Sequence, residues 1–277
     1  MSTHRTETFP TQGPATLHVE IDKGHVHVTT ADTMQVEVRV SGHDAEQVAV
    51  AQEGETVSVI GPRQRAGFPG HDTSLDVTVT LPHQSDLAIR TASAEVTADG
   101  TVATAEVRTG SGDVRLEALS GPASIVSGSG AVSVGAAQAE LRIKSGSGDI
   151  AVREAGSAIA VSTGSGDVEL GTTNGPAVVK TGSGDLRVVE ARTDLSMATG
   201  SGDLVVGRAS RGRLTAKGAS GDVHVGVPAG LPVWTDISTV SGAIRSALQP
   251  AGEPAEGADH LELRAKTVSG DVVLQQV

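Results

Sequence analysis

The chain has 277 residues, with 21 lysines and arginines against 33 aspartates and glutamates, and its net charge of −12 argues against non-specific binding to nucleic acid or to an anionic membrane. It has no cysteine, which excludes disulfides and thiolate metal sites, and its only aromatic residues are Phe9, Phe68 and Trp234, too few for a wide globular core. The opening residues are polar and no stretch reaches the roughly 18 apolar residues of a membrane span, so the expectation is a soluble, cytoplasmic chain with no membrane insertion.

Residues 1–15 read as an N-terminal tail. From 16 to 90, short alternating segments at 17–21, 26–28, 36–40, 57–60 and 75–81 read as strands, punctuated by Gly24, Gly42 and Gly54. The terminal units of a repeat stack are atypical because one face lacks a partner. This part is therefore expected to form irregular early coils and an N-terminal cap, with a small separate β-sandwich as the alternative. Residues 61–73, with two prolines and three glycines, read as a protruding loop.

Residues 91–248 carry the pattern that organises the chain. Thr109-Gly-Ser-Gly-Asp113 returns as Ser127-Gly-Ser-Gly-Ala131, Ser145-Gly-Ser-Gly-Asp149, Thr163-Gly-Ser-Gly-Asp167, Thr181-Gly-Ser-Gly-Asp185 and Thr199-Gly-Ser-Gly-Asp203, with final residues 18 apart every time. A degenerate copy, Thr91-Ala-Ser-Ala-Glu95, lies one period upstream. Copies ending at Asp222, Ala243 and Asp271 follow at intervals of 19, 21 and 28. After each phrase comes an alternating apolar pair, such as Val168 and Leu170, and before it another, such as Ile159 and Val161. Each repeat therefore holds two half-buried strands separated by turn formers. The phrase's first residue, a threonine or serine in most copies, reads inward and predicts a stacked hydroxyl ladder at the corner.

Such a unit cannot bury its apolar face alone. Stacking at roughly 4.8 Å per coil would turn about ten coils into a rod on the order of 50 Å long. The fold expected is thus all-β, a single-domain β-solenoid (β-helix) with 18-residue coils, of either hand. Residues 249–260 form a polar Pro/Gly/Glu stretch that reads as an extruded loop and accounts for the interval of 28, and 261–277 close the last coil. The end of a solenoid exposes unpaired strand groups. Val272 and Leu274, the last apolar strand positions, are therefore the interface candidates, either for a homodimer through the C-terminal end or for a partner protein's strand, unless the loop folds back over that edge.

The repeated phrase, with Gly24-His-Val-His-Val28 and Thr267-Val-Ser-Gly-Asp-Val-Val-Leu274, resembles a bacterial β-strand-repeat family of unknown function commonly labelled "putative adhesin". The resemblance spans about 16–274. It implies a β-solenoid, with no established activity and no catalytic residues to carry over.

Several constellations invite chemistry. Asp149, Asp167, Asp185 and Asp203 form a column, and carboxylates at roughly 5 Å must fan outward, accept N–H bonds or share cations. They are metal-ligand candidates, with calcium the cation to consider, since repeat-in-toxin β-rolls also wind 18 residues per coil. Those rolls carry Gly-Gly-x-Gly-x-Asp twice per coil, whereas here Gly and Asp adjoin at one corner, so Asx-type turns closed by backbone bonds are expected, and no cofactor. Arg90, Arg108, Lys144, Lys180, Lys217 and Lys266 make a discontinuous basic stripe, read as solubilising charge rather than an anion track. His25 and His27 share one strand face and would allow a two-ligand site, but read as solvated. Gly-Ser-Gly lacks the following helix of a nucleophile elbow. Trp234, beside Pro232, reads as packed against a cap. Together these point to a non-enzymatic structural or protein-interaction module. A surface-displayed adhesin is the first alternative and a carbohydrate-active β-helix enzyme the second.

Overall fold

The computed structural model describes residues 3–62, 74–249 and 259–277. Most of the loop expected at 61–73, and most of that at 249–260, lies outside the described residues. The chain is all-β: among the described residues the sole helix is a 3-10 turn at Ala45–Gln47, and none is long and apolar enough to cross a membrane, which says nothing of strands. The chain falls into two compact units, Met1–Ala139 and Glu140–Val277.

In the second unit every strand pairing among the described residues is parallel. One sheet runs Ile150–Ala155, Val168–Thr173, Leu186–Ala191, Leu204–Ala209, Val223–Val227, Val272–Gln276 and Ile244–Ser246. The other runs Leu141–Ser145, Ile159–Thr163, Ala177–Thr181, Leu195–Thr199, Gly212–Lys217, Leu261–Ser269 and Val233–Ser241. Each repeat gives one strand to each sheet, and partners such as Ile159 and Ala177 stand one period apart. The alternation read from the sequence is the burial pattern: Ile159, Val161, Val168 and Leu170 are buried, while Ala160, Ser162 and Glu169 between them are exposed. A further inward position follows six residues after the phrase, at Ala155, Thr173, Ala191 and Ala209, all buried.

The spatial order departs from the chain order. Leu261–Ser269 lies between Gly212–Lys217 and Val233–Ser241, and Val272–Gln276 lies between Val223–Val227 and Ile244–Ser246. The segment read as the last coil is therefore the last but one in space.

The first unit repeats this arrangement with antiparallel additions. Thr16–Ile21 sits between Thr56–Ile60 and Asp86–Thr91, and Lys23–Ala31 between Ser74–Pro82 and Glu95–Val102, all in parallel register. Ala105–Thr109 and Ala123–Ser127 continue one sheet, and Val114–Leu119 and Val132–Ala137 the other. Beyond the parallel core, Ala49–Glu53 folds back on Thr56–Ile60 around Gly54, whose φ of +61° suits glycine. Gln35–Gly42 adds antiparallel to Ser74–Pro82, and Thr3–Pro10 adds antiparallel to Gln35–Gly42. Residues 3–10, expected in a tail, thus form an edge strand, because Thr3–Pro10 can hydrogen-bond along the whole length of Gln35–Gly42.

Candidate functional site

The repeated corner shows why its residue types are needed. A Cβ on Gly166 would lie 2.2 Å from the Gly148 carbonyl oxygen, and one on Gly184 would lie 2.0 Å from that of Gly166. Each second glycine of the phrase permits one repeat's backbone to rest on the next. The aspartates then tie the repeats together. Oδ1 of Asp149 accepts the Asp167 N–H at 2.9 Å, Asp167 accepts that of Asp185 at 2.9 Å, and Asp185 that of Asp203 at 2.8 Å. The series continues from Asp203 to the Asp222 N–H at 2.7 Å, from Asp222 to Asp271 at 2.7 Å, and from Asp271 to Ala243 at 2.8 Å. This corrects the expected Asx turn: the carboxylate reaches the neighbouring repeat, not its own turn, because the stacked backbone brings a donor closer than the local chain does. The bonds also follow the spatial order, passing from Asp222 to Asp271 before reaching Ala243. Asp194 does the same at the opposite corner, accepting the Arg213 N–H at 2.8 Å.

The hydroxyl ladder closes each corner locally. Thr163 Oγ1 accepts the Gly166 N–H at 3.1 Å, Thr181 Oγ1 that of Gly184 at 2.8 Å, and Ser145 Oγ both accepts the Gly148 N–H and donates to the Gly148 carbonyl. Gly218 breaks the ladder. A cavity of about 10 Å³ opens beside it, between Met197, Thr199, Leu204, Val223 and Thr267. That is about the room of one water, and Thr199 Oγ1 is buried there with no hydrogen-bond partner among the described residues.

On the outer faces, parallel register turns each outward position into a row. Lys144, Ser162, Lys180, Ala198, Lys217, Lys266 and Ser238 stand side by side along the second unit. The same sheet carries Glu262, which accepts from the Arg213 guanidinium at 2.5 Å and from Arg264 at 2.9 Å. The hydrogen bond from Arg213 does most to hold the Glu262 carboxyl below its usual range. On the other sheet Arg192 does the same for Glu190 at 2.7 Å. In the first unit His25 and His27 keep much of their rings in solvent, as expected, and each also has partners. His25 Nδ1 lies 2.9 Å from Asp76 and its Nε2 3.8 Å from Glu95, while His27 Nδ1 meets Thr97 at 2.9 Å and Nε2 lies 3.6 Å from Asp99. In-register parallel strands bring those carboxylates alongside the rings.

Val272 and Leu274, expected at an open edge, are buried, and their strand is paired on both sides. The open edge of the second unit belongs instead to Val233–Ser241 and Ile244–Ser246. Trp234, read as packed against a cap, is 53% exposed there, with the Arg264 guanidinium 5.6 Å from its ring centroid. The displacement follows from the intercalated strands, which move the edge to residues that chain order places further in.

Several solved structures are similar to this chain, three of them as follows. One is a "putative adhesin" from Bacteroides fragilis NCTC 9343, 13% identical, covering 98% of this chain and 97% of its own, with a TM-score of 0.42. Another is a "putative lipid binding protein" from Parabacteroides distasonis ATCC 8503, 12% identical, covering 99% and 96%, with a TM-score of 0.44. The third is a "putative adhesin" from Parabacteroides merdae ATCC 43184, 14% identical, covering 98% and 96%, with a TM-score of 0.37. Likeness of this degree says nothing of what the chain binds. No functionally curated protein matches it. The Toastrack DUF4097 family model matches residues 15–275, nearly the whole repeat-bearing chain with its corners, ladders and paired sheets, and the chain belongs to that family.

Proposed function

We propose that the chain is a non-enzymatic protein-interaction module: a β-solenoid of 18-residue coils whose inward positions build the scaffold and whose outward rows bind a protein partner. The observation behind this reading is the parallel register, which sets the same outward position of successive repeats side by side. Exposed side chains then vary without disturbing the apolar interior, so recognition and folding use different residues. The row holding Lys144, Lys180, Lys217 and Lys266, all exposed, fits a partner surface with acidic side chains at matching intervals.

The test is capture of binding proteins by the whole chain from the cytosolic fraction and from a cell-surface extract, beside a Lys180→Glu/Lys217→Glu/Lys266→Glu variant. The expected result is a stoichiometric protein partner whose capture the variant loses while its Tm stays within a few degrees of the parent's. The fraction that supplies the partner separates a cytoplasmic scaffold from a surface adhesin. Equal capture by the variant would contradict the lysine row as the binding face, and turnover of any member of a polysaccharide panel would contradict the non-enzymatic reading.

A further inference from the structure

We propose that Val233–Ser241 is a self-complementary edge that joins two copies of this chain in an antiparallel, two-fold sheet centred on Ile237. This goes beyond the interaction reading, and its readout, self-association of the pure chain, is independent of partner capture. Among the described residues Val233–Ser241 ends its sheet and pairs on one side only, with Leu261–Ser269. Nine large apolar side chains are exposed among the described residues, and four of them gather here: Trp234, Val240, Ile244 and Val268. Val240 is 82% exposed, the highest of the nine. The end is apolar and carries unused backbone groups, the combination that recruits another strand.

The backbone limits how a second strand can add. Leu261 N–H donates to the Pro232 carbonyl at 3.0 Å. In a parallel ladder, alternate residues of one strand serve the neighbour and the intervening ones point away. Trp234, Asp236 and Ser238 therefore bond inward to Leu261–Ser269, while the N–H and C=O groups of Val233, Thr235, Ile237 and Thr239 face the open side. An added antiparallel strand must oppose these outward residues to their own kind.

Among the registers this leaves for two identical strands, the side chains favour one. With Ile237 on the two-fold axis, Ile237 opposes Ile237 and Thr235 opposes Thr239 as hydrogen-bonded pairs. Asp236 then meets Ser238 of the second copy, and Trp234 meets its Val240, in the non-hydrogen-bonded pairs where side chains approach most closely. An axis on Asp236 would set two carboxylates against each other, and an axis on Ser238 would set Asp236 against Val240. The Ile237 register alone covers both Trp234 and Val240, twice over by symmetry, and opposes no like charges. The inward residues Val233 and Ile237 would extend the apolar interior into that of the second copy.

Light scattering on the whole chain at micromolar concentration tests this, with two variants chosen to leave the fold intact. Thr235→Pro removes an N–H that points away from the protein's own ladder, a place where an edge strand tolerates proline. Ser238→Asp places a carboxylate beside Lys266 in its own chain, a favourable neighbour, but opposite Asp236 of the second copy. The expected result is a dimeric parent and two monomeric variants with unchanged far-UV circular dichroism and Tm. A monomeric parent would overturn the proposal, and so would a parent and both variants that are all dimers.

Discussion

At the scale of single residues, the glycine and the aspartate of the phrase act between repeats, and this can be tested apart from any partner. Gly166→Ala would drive a Cβ to 2.2 Å from the Gly148 carbonyl oxygen, so a loss of about 1–3 kcal/mol is expected, the usual cost of overpacking. Gly13→Ala, where a Cβ meets nothing within 4 Å, should leave thermal stability unchanged. Asp185→Ala removes the acceptor for the Asp203 N–H and should cost about 1 kcal/mol in chemical denaturation, whereas Asp185→Asn keeps an acceptor oxygen and should cost less. Equal losses from the two would mean that the inter-repeat bond contributes nothing. Thr173 is the converse case, for its hydroxyl is buried in a row of alanines without a partner among the described residues. Thr173→Val should raise stability by about 1 kcal/mol, read as a higher denaturation midpoint. Sequence alone marks these glycines and aspartates as corner residues because they recur. It does not say that the carboxylate bonds across repeats, since the donor it reaches is 18 residues away and becomes a neighbour only after stacking.

At the scale of the strand, the alternation of the apolar pairs was legible, because a half-buried strand leaves a period of two. Val168 and Leu170 are buried and Glu169 between them is exposed, as the alternation implies. One residue inserted after Glu169 would turn Leu170 outward, so the variant should melt below every point variant above; an unchanged Tm would contradict the strand register. The further inward position at Ala155, Thr173, Ala191 and Ala209 also recurs every 18 residues but is easily missed, since small residues and a threonine carry little hydropathy signal. Trp234 was misread for a different reason. Its exposure depends on which strand lies at the edge, and that is decided above the level of the strand.

At the scale of the molecule, both units tuck a strand pair inside a later or earlier one. Thr16–Ile21 and Lys23–Ala31 lie inside the strands that follow them, and Leu261–Ser269 and Val272–Gln276 lie inside the strands that precede them. Those pairs are hydrogen-bonded on both sides, which protects them from fraying, and in the second unit the exposed edge falls to Val233–Ser241 and Ile244–Ser246. This order was illegible in the sequence because every repeat offers the same corner, the same alternation and the same parallel ladder. Any repeat fits on any other, so the interval of 28 before Asp271 reads equally well as a loop extruded from a sequential stack. The order also decides where a second copy could join, and it is open to direct measurement in a chain without cysteine. Thr215 and Asp236 each stand beside Arg264, on opposite sides of it. The most direct test oxidises two double variants, Thr215→Cys/Arg264→Cys and Thr215→Cys/Asp236→Cys, and reads the disulfide by mass spectrometry. Neighbouring strands lie within disulfide reach and strands two apart, at roughly 10 Å, do not. The expected result is a rapid cross-link between 215 and 264 and none between 215 and 236, whereas a cross-link between 215 and 236 would contradict the intercalated order and return Val272 and Leu274 to the edge.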